Sequence, residues 1–396
     1  MRLTGTAMLV IAVVAAVVAP VACVWCWPRV RGPRGVRAGS RMALFAACQI
    51  STTVLVGVLV NDYGQFYSTW GDLLGTSSNA PVMNSAAHFG AAARTPTSNA
   101  QKVALTQLAG APEIPAAAAD WKTLSWSKRA QWVDRGAIVN TTVASAGSAL
   151  SEQALVYLPP AYFRSGPAAR QLPLVEVLTG YPGVPMNLIT RMHYPDRLLS
   201  AIQAGQAQNM VLVMLRPAPT FPWDTECSDL PGGPQALHFF TDAVPASVSR
   251  QFGLHPSGYA TMGDSTGGYC AAKVAMFDPS RFLAAVSLSG YFKPATDPTT
   301  RGMFANRPAF RDQNDLEWRL QHLPAPDISL LIATARDEGG DDGYQIALRL
   351  LHDVKAPMSA DELVLDHGGH NFRTWGREIP YAMRWLSDRF ADGRRS

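Results

Sequence analysis

Charge is scarce in this chain. Only 16% of its 396 residues are Asp, Glu, Lys or Arg, and the net charge of +4 is unevenly held. Five arginines and no acidic residue lie between Pro28 and Arg41. Setting their +5 against the total of +4 leaves about −1 for the remainder, which excludes a basic face of the kind that binds nucleic acid. Cysteine is also scarce. Of five, Cys23, Cys26 and Cys48 fall in apolar runs, where a small hydrophobe is the expected role. Cys23-x-x-Cys26 lies inside such a run, which argues against a redox or metal pair. There is no internal repeat and no His-Glu-x-x-His pattern. Asp366, His367 and His370 have no second acid-rich cluster to join, so no metal is expected.

Hydrophobic residues are plentiful, at 47%. Thr6–Trp27 and Met42–Val60 are uncharged runs, each long enough to cross a bilayer, which takes ~20 helical residues. The first is longer than the roughly 7–15 apolar residues of a cleaved leader, and a second run follows. A two-span transmembrane hairpin over 1–61 is therefore expected. Its arginine-rich connection is the cytoplasmic loop under the positive-inside rule, which puts the rest of the chain outside the cytoplasm. Contact with membrane lipid comes through these two helices, and the basic loop suits anionic head groups. Residues 62–131, rich in Ala, Ser, Thr, Gly and Pro, read as an extracytoplasmic spacer with a short helix near Gln101–Leu108. From 132 to 396, short apolar strands alternate with helical patterns. That alternation predicts an α/β domain with a mainly parallel sheet and helices on both faces.

The domain is organised around Met262-Gly263-Asp264-Ser265-Thr266-Gly267-Gly268. A strand-like segment precedes it and a run of helix formers follows, the context in which Gly-x-Ser-x-Gly forms a nucleophile elbow. The sharp turn lifts the serine hydroxyl clear of the sheet, and the following helix start leaves N–H groups for an oxyanion. A serine so placed needs a base and an orienting acid, in the chain order Ser, Asp/Glu, His. Past the strand at Ile328–Thr334 comes Ala335-Arg336-Asp337-Glu338, with Asp337 the first choice and Glu338 the reserve. Past the last strand comes His367-Gly368-Gly369-His370, with His370 favoured over His367 as the base. His352 falls mid-helix and is set aside. The oxyanion donors are the N–H of Thr266 and that of Tyr181, in Thr179-Gly180-Tyr181-Pro182-Gly183 after an early core strand. Pro182 has no N–H to offer. Cys227 and Cys270 are the only cysteines beyond the hairpin. An oxidising compartment permits them to pair beside the nucleophile, and two separate thiols remain the alternative.

Several stretches resemble the putative-esterase family of α/β-hydrolases, which includes feruloyl esterases, S-formylglutathione hydrolases and secreted mycolyltransferases. They are Val156-Tyr157-Leu158-Pro159-Pro160-Ala161-Tyr162, the elbow with its Gly268-Tyr269 extension, Phe282 to Gly290, and Gly368-Gly369-His370 with Trp375 beyond. The resemblance covers about Arg135 to Phe390 and implies an α/β-hydrolase fold. It implies a Ser265, Asp337, His370 triad with Tyr181 and Thr266 as oxyanion donors. Trp223-Asp224-Thr225-Glu226-Cys227 resembles the substrate-side loop of the mycolyltransferase branch. Asp264 and Thr179 depart from the family pattern, and Asp264 sets an anion beside the nucleophile that would disfavour acidic substrates. The implied activity is cofactor-free hydrolysis or transfer of an acyl ester through an acyl-enzyme, with envelope lipid or glycan as the expected partner. A catalytically silent domain binding glycan or protein through the same cleft is the rival reading.

Overall fold

The computed structural model describes residues 3, 6–64, 66–67, 69–74, 82–85, 113–114, 132–145, 149–164, 166–339 and 343–393. The helix expected near Gln101–Leu108 lies outside the described residues. The chain forms two compact units. One comprises Met1–Ala80 with Ala335–Tyr344 and Leu365–Thr374, and the other Pro81–Thr334 with Gln345–Val364 and Trp375–Ser396.

In the first unit, α1 (Thr6–Cys26) packs along α2 (Arg34–Gly64), and a short α3 (Trp70–Leu74) follows. Two stretches, Thr6–Arg29 and Arg34–Asp62, are long and apolar enough to cross a membrane. The second helix starts earlier than its apolar run, at Arg34 rather than Met42, and so takes Arg34, Arg37 and Arg41 into its opening turns. Pro33 sets that start, because its fixed φ and missing N–H suit the head of a helix, and its carbonyl accepts the Arg37 N–H at 3.0 Å. The Arg41 guanidinium lies 5.0 Å from the Trp27 ring centroid, joining the two helices at their connection.

The second unit is built on a ten-stranded sheet among the described residues, β1 (Val82–Ser85) to β10 (Ser359–Leu365), in the order β1-β10-β9-β8-β7-β5-β6-β4-β3-β2. The central strands β5 (Leu174–Leu178), β6 (Val211–Leu215), β7 (Tyr259–Asp264), β8 (Phe282–Leu288) and β9 (Ser329–Ala335) pair in parallel. Every residue of β5 and β6 is buried, which is why these strands read as near-continuous apolar runs instead of alternating ones. Strands β3 (Ala137–Ala144) and β4 (Ser151–Leu158) form an antiparallel extension on one side. Helices α4 (Pro185–Thr190), α5 (Tyr194–Gln203), α6 (Val244–Phe252), α7 (Thr266–Phe277), α8 (Pro308–Asn314), α9 (Leu316–His322) and α10 (Gly343–Asp353) lie in the connections, and α11 (Phe372–Gly393) ends the fold.

The stretch expected to be spacer contributes both edges of this sheet. Val82–Ser85 pairs antiparallel with β10, and β2 (Glu113–Ile114) pairs parallel with β3. Strand order reverses around β5, which has β6 on one side and β7 on the other. Ligands of open α/β sheets bind at such a switch point, outside the carboxyl ends of the strands. The carboxyl end of β5 leads into Thr179–Gly183, and that of β7 into Ser265.

Candidate active site

Ser265 sits between β7 and α7 at φ 54° and ψ −124°, a conformation that L residues rarely adopt. The turn that imposes it is tightly held. Ser265 N donates to Leu288 O at 2.9 Å, and its own carbonyl accepts the N–H groups of Gly268 and Tyr269. A Cβ at Gly263 would collide with the Gly267 carbonyl, and one at Gly267 with the Leu178 carbonyl. The two glycines are thus what let strand and helix meet around the serine. Ser265 itself is only half-buried.

The loop after β5 rests against this elbow. Gly180 N donates to Asp264 Oδ2 at 2.9 Å, and a Cβ at Gly180 would lie 3.0 Å from Ser265 Cβ. Asp264 is 1% exposed, so its carboxylate faces inward and holds the loop. The anion foreseen beside the nucleophile is therefore a bonded internal group rather than one turned to solvent. The Gly180 N–H is thereby engaged, whereas Tyr181 and Thr266 carry the two main-chain N–H groups expected as donors. Among the described residues neither donates to a protein acceptor. The Tyr181 hydroxyl donates to Pro222 O at 2.8 Å, tying this loop to the next one.

In the other unit, two histidine–carboxylate pairs stand side by side in sequence. His370 Nδ1 is 2.9 Å from Glu338 Oε1. His367 Nδ1 is 3.1 Å from Asp337 Oδ2, and Asp337 Oδ1 accepts the Gly368 N–H at 2.9 Å. The expected bond between Asp337 and His370 is thus replaced by one from Glu338, the reserve. The local turn explains the exchange. Glu338 N donates to Ala335 O at 3.1 Å, closing a tight turn at the end of β9 that sends neighbouring side chains to different partners. The longer glutamate then reaches the far histidine, and the aspartate supports the near one and the glycine backbone between them. His370 is the more enclosed of the two, with its side chain 29% exposed against 56% for His367.

The loop from Trp223 to Cys227 does not present Asp224 to a substrate. Asp224 is 2% exposed and accepts the Glu226 N–H at 2.9 Å, and burial pushes its carboxyl up to about 6. Trp223 packs against the cluster of Leu230, Met303 and Phe304, with its indole N–H on Thr300 O at 3.3 Å. Cys227 and Cys270 form a disulfide that ties this loop to α7.

Beside that bridge lies a polar network that sequence reasoning missed. Tyr291 donates its hydroxyl to Glu226 Oε1 at 2.7 Å and lies 3.1 Å from Thr266 Oγ1. Lys273, on the buried helix α7, donates to Glu226 O at 2.8 Å and Ser228 Oγ at 2.7 Å. Burial pushes the Glu226 carboxyl up to about 8 and the Lys273 ammonium down to about 7. Lys273 bonds the glutamate's main chain and not its carboxylate, so burial outweighs the attraction between the two side chains. The acidic Asp224-Thr225-Glu226 run next to a cysteine was the one signal of this network in the sequence.

The comparisons with known proteins agree with this architecture. A ferulic acid esterase superposes with a TM-score of 0.53 at 18% identity, covering 64% of this chain and 98% of that one. An S-formylglutathione hydrolase from Agrobacterium tumefaciens gives 0.52 at 16% identity, over 63% of this chain and 96% of that one. The MPT51 antigen of Mycobacterium leprae is 40% identical over 65 residues, which is 16% of this chain and 22% of that protein. The MPT51/MPB51 antigen of Mycobacterium tuberculosis is 38% identical over 74 residues, 19% of this chain and 24% of its own. The chain matches less than a quarter of the length of these curated relatives. The family model described as Putative esterase matches residues 151–386, from β4 into α11, and this chain therefore belongs to that family and has the α/β-hydrolase fold.

Proposed function

We propose that this protein is a membrane-anchored serine esterase or acyltransferase that works through an acyl-enzyme outside the cytoplasm. Ser265 attacks the acyl ester, His370 takes the hydroxyl proton and returns it to the leaving alcohol, and Glu338 holds the imidazole in the required tautomer. The N–H groups of Tyr181 and Thr266 receive the oxyanion. The observation that carries the reading is the strained Ser265 between β7 and α7, inside the family match. The His370–Glu338 bond supports the choice of base and acid, and amends the acid expected from sequence. Water completes the cycle in an esterase, and a sugar or lipid hydroxyl in a transferase. Two apolar helices beside an arginine-rich turn support the anchoring and the outward placement, with envelope lipid or glycan as the acceptor class.

The test is labelling of the full-length protein by a fluorophosphonate, together with turnover of p-nitrophenyl esters. Ser265→Ala should abolish both while leaving the melting transition unchanged, with a rate loss on the order of 10⁶. Retention of more than a few per cent of activity would assign the nucleophile elsewhere. Protease added to intact cells should cleave the chain, and protection until lysis would overturn the outward placement.

A further inference from the structure

The first unit contains a contact with no counterpart in the proposed chemistry. Immediately after α2 the chain doubles back, with Asn61 Nδ2 donating to Tyr67 O and Tyr67 N donating to Asn61 Oδ1, both at 2.9 Å. This presents the Phe66 carbonyl to the histidine loop, where the Asn371 side-chain amide donates to it. Asn371 directly follows His370. A longer contact joins Arg373 Nη1 to Leu73 O at 3.5 Å. A cavity of about 580 Å³ lies alongside, walled by Thr69, Trp70 and Gly71 on one side and by Arg336, Asp337 and His367 on the other.

We propose that residues 66–67 and 69–74 are a positioning element of the active site, holding through Asn371 the loop that carries His370. The inference rests on His370 being the general base. The loop needs external support because Gly368 and Gly369 give its backbone wide conformational freedom. Asp337 fixes Gly368 N, and Thr374 Oγ1 accepts the Gly369 N–H at 3.0 Å. Neither bond reaches past Gly369. Beyond it, the Asn371 side chain does two separable things. Its Oδ1 accepts the N–H groups of Arg373 and Thr374 at 2.9 and 3.0 Å, capping α11. Its Nδ2 donates to Phe66 O. A general base displaced by ~1 Å loses rate by roughly 10²-fold, so the second bond bears on turnover even if the first alone keeps the helix folded.

The experiment uses the full chain in detergent micelles. His370→Ala comes first. If it reacts with a fluorophosphonate at the wild-type rate, the reading of His370 as base has failed, and this inference falls with it. If His370→Ala is silent, Asn371→Ser and Asn371→Asp retain a capping oxygen and remove the amide donor. Each should lower kcat for a p-nitrophenyl ester by roughly tenfold to a hundredfold, with KM within about twofold and the melting transition within a few degrees. Asn61→Ala removes both bonds that hold the Phe66–Tyr67 backbone in place and should cause a similar loss. Combining it with Asn371→Ser should add little, because both changes break one connection. Wild-type kcat in Asn371→Ser, or losses that multiply in the combined variant, would overturn the proposal.

Discussion

Replacing Glu338 by glutamine should separate the two histidine–carboxylate pairs. The substitution preserves side-chain length and removes the charge that faces His370 Nδ1 at 2.9 Å. The glutamate side chain is 4% exposed, so water screens that charge little. An amide there favours the wrong imidazole tautomer, and the comparable change in a serine protease costs about 10⁴ in turnover. At ~1.36 kcal/mol per decade this is about 5.4 kcal/mol of barrier. Asp337→Asn is the control. Its Oδ1 can still accept the Gly368 N–H, so what it loses is the charge-assisted bond to His367, which is more than half exposed. Bonds to charged groups are worth about 1.5–3 kcal/mol when enclosed, and solvent around His367 brings the expected stability loss to about 1 kcal/mol. Turnover should fall by less than about tenfold, through loosening of the loop. Fluorophosphonate labelling rates for both variants, alongside thermal melts, measure the difference. If Asp337→Asn labels more slowly than Glu338→Gln while both remain folded, Glu338 does not orient the catalytic base.

Asp264→Ala should leave the buried Gly180 N–H without its acceptor and loosen the Thr179–Gly183 loop, the proposed source of one oxyanion donor. It should lower kcat by up to about 10²–10³, the cost of losing one oxyanion donor, with Asp264→Asn milder because an oxygen remains. Full kcat in the alanine variant would show that the clamp is dispensable. The Glu226–Lys273 network predicts a pH-dependent stability. Glu226 keeps its proton to about 8 in the fold against an ordinary 4.5, so its stabilising contribution is complete below about 4.5 and lost as pH rises to about 8. Lys273, lowered to about 7 from 10.5, acts in the opposite sense, its contribution present at high pH and lost as pH falls through about 7. Urea midpoints at pH 5 and 7.5 should therefore drop less in Glu226→Gln than in wild type, and equal drops would remove Glu226 as the cause. Removing both Cys227 and Cys270 opens a loop with a sequence separation of 43, worth about 4 kcal/mol in the chain-entropy description. Dithiothreitol should bring the wild-type protein down to the melting point of the double alanine variant, and an unmoved transition would count against the bridge.

Much of the fold was legible because its signals are local and periodic. The buried runs of β5 and β6, the alternation of strand and helix, and the elbow glycines each follow from the nearest few residues. The sheet edges were not. Val82–Ser85 and Glu113–Ile114 are short, and they lie in Ala-, Ser- and Pro-rich surroundings without alternation. Their strand character comes from pairing with β10 and β3, contacts far away in sequence. The start of α2 at Arg34 was missed for a related reason. Reading a span by hydropathy marks where the apolar residues begin, whereas the backbone follows helix propensity, which arginine satisfies well.

The candidate site divides along the same line. Residue type and chain order point to the serine, the acid loop and the histidine loop, because each chemical role restricts the side chains that can fill it. The choice between Asp337 and Glu338 depended on geometry that no residue pattern encodes. Two adjacent carboxylates on a tight turn face two histidines separated by two glycines, and either pairing satisfies the sequence. The turn closed by Glu338 N on Ala335 O, and the Gly368 N–H that needs an acceptor, select the arrangement in which the shorter acid serves the backbone and the longer one reaches His370. The same holds for Asp264. By sequence it is an anion beside the nucleophile, and in the structure its carboxylate accepts the Gly180 N–H. In both places a charged side chain at the site is held by a main-chain N–H, a partner that side-chain chemistry alone cannot reveal.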